Sequence, residues 1–150
     1  MTSIYAYQKV LTLHAVIQMA LPDNQGADDS QRCTELCTLD GTTYVAVPDG
    51  MELPAQPPEI TLTTPALTPE LKAQIKAASP HVALTYARTQ DLIRSKYSVD
   101  DEAYYARIGV GVALGAYTFE SGEQAELMEF AAFVEAARTW GRGERAKLGL

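Results

Sequence analysis

Pro48-Asp49-Gly50-Met51-Glu52-Leu53-Pro54-Ala55-Gln56-Pro57-Pro58-Glu59-Ile60-Thr61-Leu62-Thr63-Thr64-Pro65-Ala66-Leu67-Thr68-Pro69 contains six of the chain's eight prolines. Each proline fixes its own φ, removes a backbone donor and biases the preceding residue toward extended geometry. A segment punctuated in this way forms neither a helix nor a central strand. Residues 48–69 are therefore expected to run as an extended arm between a front part, 1–47, and a back part, 70–150.

The front part reads as β-rich. Residues 4–20 carry both a strand alternation (Tyr5, Tyr7, Lys9, Leu11, Leu13) and a helical face (Val10, Leu13, His14, Ile17), and their β-branched and aromatic content favours a strand. Pro22 ends that segment, and Asp23 to Ser30 reads as a surface loop. Thr34–Leu39 and Thr42–Val47 flank Asp40-Gly41, a dipeptide suited to a type I′ turn because both positions must accept positive φ. The hairpin register then sets Leu39 opposite Thr42, Cys37 opposite Tyr44 and Leu36 opposite Val45. Neither face of this hairpin is purely polar, so both are expected to be covered, by this chain or another. Asp49-Gly50 provides a second turn into the arm.

The back part has helical periodicity. Thr68-Pro69-Glu70 combines a capping hydroxyl, a proline at the first helical position and an acid at the positive end of the dipole. Leu71, Ile75 and Ala78 form the expected inner face of that helix. Ser79-Pro80 stops it and opens another, with Val82, Tyr86, Ile93 and Tyr97 at helical spacing. Ser98 is the expected cap of a third, followed by the acids Asp100 to Glu102. Ser121 and Gln124 fit a capping box for a fourth, in which Leu127, Phe130, Val134 and Ala137 recur along one face. Glu120, Glu123, Glu126 and Glu129 crowd its start and Arg138, Arg142, Arg145 and Lys147 its end, complementing the macrodipole. The fold class expected is α+β: a small β-rich part with a hairpin, the arm, and three or four helices.

Apolar content of 47% with 21% charged residues describes a globular chain, away from the disordered class. The net charge of −7 sits mainly in front: residues 1–65 carry two basic residues against eight acidic ones, residues 66–150 ten against eleven. An acidic front argues against nucleic acid as a partner, since that affinity rests on neutralising phosphates. The longest weakly charged run, Ile108 to Phe119, is too short to span a bilayer, so no membrane partner is expected. Met1-Thr2-Ser3-Ile4-Tyr5 lacks the pattern of a secretory signal, and two cysteines then suit synthesis in a reducing cytoplasm.

No catalytic, cofactor or metal constellation stands out. Gly109-Val110-Gly111-Val112-Ala113-Leu114-Gly115 is a relative of the dinucleotide fingerprint, but it follows a helical pattern with no βαβ unit around it. It is read as a close-packing or helix-breaking run. Cys33 and Cys37 on one strand would share a face about 13 Å apart, too far to chelate one ion or bond to each other. Only a helix would bring them together, and a zinc site would then have to recruit His14 and His81. Otherwise they are small core residues. The loop at Asp23 to Asp29 has oxygen ligands without the spacing of a calcium loop. Aromatic and terminal apolar residues suggest protein contacts instead: Tyr104, Tyr105 and Trp140 as anchors, Leu148 and Leu150 at a basic tail, and Ile60, Leu62 and Leu67 in the arm, spaced to add a strand at a sheet edge.

From Thr34 to Leu150 the residue order resembles small accessory proteins of tailed bacteriophages, encoded near tail or baseplate genes. The resemblance lies in Thr42-Thr43-Tyr44-Val45-Ala46-Val47-Pro48-Asp49-Gly50, Ser79-Pro80-His81, Tyr97-Ser98-Val99-Asp100-Asp101-Glu102 and Trp140-Gly141-Arg142. It carries over no functional residue. It implies a non-enzymatic virion component (tail, baseplate or fibre attachment) made in the host cytoplasm and contacting other virion proteins and copies of itself, with no small-molecule substrate. The alternatives are a tail-fibre assembly chaperone absent from the finished particle, or a small inhibitor of a host protein.

Overall fold

The computed structural model describes residues 2–23 and 32–150, so the acidic loop from Asn24 onward lies outside the described residues. The architecture is α+β. Strands β1 (Thr2–Gln8), β2 (Val10–Leu11), β3 (Val16–Ile17), β4 (Thr34–Leu39) and β5 (Thr42–Pro48) precede helices α1 (Pro69–Ala78), α2 (Pro80–Arg94), α3 (Val99–Ala113) and α4 (Glu123–Lys147). The chain packs as two compact units. One comprises Met1–Leu84 with Glu144–Leu150, the other Thr85–Gly143.

In the first unit an antiparallel sheet runs in the order β1-β5-β4, and β2 and β3 form a separate two-stranded hairpin. The β4–β5 turn is Asp40-Gly41 with φ of 48° and 79°, the positive values a type I′ turn demands. Leu39 pairs with Thr42 and Cys37 with Tyr44, as expected, but a bulge between Glu35 and Cys37 sets Glu35, not Leu36, opposite Val45. The bulge lets the consecutive residues Leu36 and Cys37 enter one apolar cluster, whereas Cys33 joins the cluster on the other face. The shared face expected for the two cysteines is corrected accordingly, because the extra residue reverses the alternation between them.

Both faces of this sheet are covered by the chain itself. On one face Tyr5, Tyr7, Val45 and Val47 meet Met19 and Cys33, and the arm's Met51, Leu53, Ile60 and Leu62 close over them. On the other, Ile4, Ala46, Leu36 and Cys37 meet Ile75 and Leu71 of α1, with Leu67, Leu148 and Leu150 packed alongside. The Gln56 amide holds the arm down: its nitrogen donates to the Ala20 carbonyl at 3.0 Å and its oxygen accepts from the Ala20 N–H at 2.9 Å. Thr63 then exchanges backbone bonds with Ala6 at the outer edge of β1.

The helix starts follow their caps. The Thr68 hydroxyl accepts from the Leu71 N–H at 3.2 Å with Pro69 next to it. Ser98 and Asp101 form a reciprocal capping box, with backbone-to-side-chain distances of 2.8 and 3.1 Å. Three expectations are corrected. Ala78 is exposed, so α1 buries Ile75 on its inner face. Tyr86 is exposed, and α2 instead turns Thr85 and Thr89 inward with Val82 and Ile93; the Thr89 hydroxyl donates to the Thr85 carbonyl at 2.8 Å, which is how two threonines tolerate burial. At the start of α4 the carboxylate of Glu123, not Gln124, reaches back, and it accepts from the Glu120 N–H at 2.7 Å.

The second unit closes around aromatic rings. Tyr97 meets Phe130 edge-on at 5.0 Å, and Tyr105 stacks on Phe130 at 4.9 Å. The glycine run lies within α3 and the turn after it. Gly111 accepts backbone bonds from Ala116 and Tyr117, and a Cβ at position 111 would fall 2.8 Å from that of Tyr117. Small residues thus let the chain fold back over the end of the helix.

Candidate functional site

The most exposed large apolar side chains of the first unit sit together on the β2–β3 hairpin. Strand periodicity splits its residues between two faces: Val10 and Ile17 pack on the sheet's cluster, while the directly opposed pair Leu11 and Val16 points outward. Leu11 is 77% exposed, Val16 55% and Leu13, in the connecting turn, 97%. This turn is held by its own polar groups. The Thr12 N–H donates to the Ala15 carbonyl at 2.9 Å, and the Thr12 hydroxyl accepts from the Ala15 N–H at 2.9 Å while donating to the same carbonyl at 2.8 Å. An ordered turn that holds a leucine in water cannot be explained by the hairpin's own packing. The stretch from Val10 to Pro22 also contains no Asp, Glu, Lys or Arg. Lys9 beside it is neutralised by Glu35 at 2.7 Å, a bond that raises the lysine's pKa.

The residues singled out from the sequence as contacts are placed differently. Ile60 is buried and Leu62 half-buried on one face of the sheet; Leu67, Leu148 and Leu150 are half-buried on the other. Tyr105 lies in the aromatic cluster. Trp140 is exposed on α4. Tyr104 donates its hydroxyl to Glu123, which also accepts from Tyr117 at 2.9 Å and from the Glu120 N–H. The bond to the Glu123 carboxylate, reinforced by burial, pushes the Tyr104 pKa up to about 12. Reciprocally, the Tyr104 hydroxyl and then the Glu120 N–H hold Glu123 below the usual carboxylate range. All the partners of this carboxylate are donors that fasten the turn between α3 and α4.

A shallow cleft between β1 and the arm is lined by Ala6, Gln8, Val10, Thr61 and Thr63, with Glu59 as the charged group among its lining residues. Tyr7 also lines this cleft, and burial raises its pKa. His14 sits in the hairpin turn and His81 at the start of α2, both exposed. Among the described residues no three His, Cys, Asp or Glu side chains gather as a metal site would need, and no helix is long and apolar enough to cross a membrane.

Leu11, Leu13 and Val16 escaped the sequence reading because the segment has no Asn-Gly or Asp-Gly turn. The available signal was Thr12, whose side chain can close a turn on its own, between the apolar pairs Val10-Leu11 and Val16-Ile17. Compared with protein-family models, curated proteins and solved structures, the chain matches none.

Proposed function

We propose that the protein is a non-enzymatic structural component of a tailed-phage virion, acting through protein–protein contacts in the tail, baseplate or fibre attachment. The observation that carries the contact role is the β2–β3 hairpin, whose turn is internally hydrogen-bonded and yet presents Leu11, Leu13 and Val16 to water. The largest exposed apolar patch on a folded chain is often a functional surface. The virion assignment rests on the resemblance across Thr34 to Leu150. The hairpin lies in front of that stretch, so the two supports are independent.

The test is mass spectrometry of purified particles of the encoding phage, with and without the intact gene. The chain is expected in mature particles at a fixed copy number, and particles lacking it should be defective in tail assembly or adsorption. A chain required for assembly but absent from finished particles would replace this reading with an assembly chaperone.

A further inference from the structure

We propose that helix α3 pairs with α3 of a second copy of this chain, antiparallel about a two-fold axis, through the face that carries Val99, Ala103, Ala106 and Val110. This surface belongs to the unit Thr85–Gly143 and is separate from the β2–β3 hairpin, so the pairing does not depend on the contact role proposed for the hairpin.

At about 100° per residue, Val99, Ala103, Ala106, Val110, Ala113 and the C-cap Leu114 fall within one arc of about 100°. All six are exposed, Val99 at 59%, Val110 at 58% and Leu114 at 77%. The opposite side of the helix carries the buried Ile108 with Tyr105 and Val112 half-buried. A helix that is apolar on both sides is suited to being covered on both.

The order of residues on this face favours a second copy as the cover. Val99, Ala103, Ala106 and Val110 are spaced four, three and four apart, so the face reads the same from either end. An antiparallel two-fold contact has that property: Val99 of each copy meets Val110 of the other, and Ala103 meets Ala106. The alanines fall at the crossing, where small side chains let two helix axes approach to about 8 Å.

Charge favours the same partner. The charged residues of α3 are Asp100, Asp101, Glu102 and Arg107. Asp101 forms the capping box with Ser98, and Glu102 faces Arg94 at 3.9 Å. Asp100 and Arg107 have no ion-pair partner among the described residues. They lie two turns apart on the same border of the apolar face, with opposite signs. An antiparallel copy therefore sets each Asp100 beside the Arg107 of the other, giving two equivalent ion pairs. The Arg107 guanidinium lies over the Tyr104 ring at 5.7 Å, and with Asp100 and Ala103 these residues line a shallow hollow of about 250 Å³ on that border. A parallel pair would instead bring the acidic first turns of both copies together. A foreign helix would have to reproduce the apolar spacing with an acid and a base in reversed order; this chain already carries both.

Together with Asp100 and Arg107 the face exposes on the order of 500 Å² per copy, so a pair covers on the order of 1,000 Å², the lower bound for a specific interface. The dimer is therefore weak and reversible.

Sedimentation equilibrium of the full chain from about 10 µM to about 1 mM tests this. The weight-average mass should rise from 16.3 kDa toward twice that value. Asp100→Arg and Arg107→Asp each turn two attractive contacts repulsive and should raise the dissociation constant about tenfold or more. Mixed in equal amounts, the two variants should associate as tightly as the wild type, because each supplies the charge that the other lacks. Ala106→Glu should abolish the dimer with the circular dichroism spectrum unchanged, since position 106 faces water in the single chain. A mass of 16.3 kDa at the highest concentration would overturn the pairing. So would association that survives Ala106→Glu, or a mixture no tighter than either charge variant alone. A monomeric chain found in mature particles would overturn the pairing and leave the structural role standing; a dimer whose chain is absent from particles would do the reverse.

Discussion

Thr63 and Ala6 exchange both of their backbone hydrogen bonds, at 2.8 and 2.9 Å, and the Thr63 hydroxyl adds a third contact to the Ala6 carbonyl at 3.1 Å. The proline-rich arm thus ends as a single rung on the outer edge of β1. Continuing the antiparallel register would bring Pro65 opposite Ile4, where a proline has no N–H to give. The rung is therefore terminated by the chain's own chemistry. At the opposite edge of the sheet, the bulge at Leu36 interrupts β4. Both edges are blunted in ways that discourage uncontrolled strand addition.

If the arm is part of the core, Ile60→Ala should cost about 2–4 kcal/mol of stability, in the range for burying and then deleting a large aliphatic side chain. Thr63→Pro should cost about 1–3 kcal/mol by leaving the Ala6 carbonyl without its donor. Urea unfolding monitored by circular dichroism measures both. A loss of under about 0.5 kcal/mol for Ile60→Ala would mean the arm is detached in solution.

The C-terminus is fastened at the start of the chain. The Thr2 hydroxyl donates to the Lys147 carbonyl at 2.7 Å, and Leu148 and Leu150 pack with Ile4 on the sheet. Gly149 has φ of +76°, and a Cβ there would lie 3.1 Å from the Thr2 carbonyl oxygen. Deleting residues 148–150 should expose that sheet face and cost about 2–4 kcal/mol. Gly149→Ala should cost about 1–2 kcal/mol through the left-handed backbone. Thermal melts of the two variants should fall in that order; an unchanged melt for the deletion would show that the tail does not cover the sheet.

Glu123 and Tyr104 define two pH limbs. The folded carboxylate is depressed below 4.5 by the Tyr104 hydroxyl and then the Glu120 N–H, so its contribution is present above the unfolded value and is lost as pH falls through the folded one. Tyr104 is raised from 10.0 to about 12, so its contribution is full below 10.0 and disappears as pH climbs through about 12. Tyr104→Phe should flatten the alkaline limb and weaken the acid limb in melts run across pH. It should also remove the latest-titrating tyrosinate from the absorbance titration; if that signal persists, the bond does not form in solution.

Two glycines should respond in opposite directions. Gly111→Ala sets a Cβ 2.8 Å from the Tyr117 Cβ and should destabilise by about 1–3 kcal/mol. Gly143 lies inside α4 with nothing within 4 Å of an added Cβ, so Gly143→Ala should stabilise by about 0.5–1 kcal/mol. Denaturation midpoints compare them directly, and equal signs would contradict the packing of the α3–α4 turn.

Much of the local structure was legible. Asp40-Gly41, Thr68-Pro69 and Ser98 through Asp101 each encode a turn or a helix start within a few residues, by backbone conformation or by one side chain meeting one N–H. The helical stripe of α4 at Leu127, Phe130, Val134 and Ala137 was equally visible, since every member is half-buried or buried. Illegible were the inward threonines of α2, because periodicity favoured the larger Tyr86, and the outward leucines of the hairpin, because period two alone does not say which face meets the core.

By itself the sequence determined that the interior of residues 48–69 is neither helix nor central strand, since proline acts on its own φ and its own missing donor; Pro48 closes β5 and Pro69 opens α1, end positions where a proline is tolerated. Whether that segment would reach for another chain or fold back was a tertiary matter. Its partners lie on a strand 57 residues away at Ala6 and in a cluster assembled from residues between Tyr5 and Val47. Burying Ile60 there is favourable only once β1 and β5 have paired beneath it, and that cooperative, long-range term appears in no local pattern.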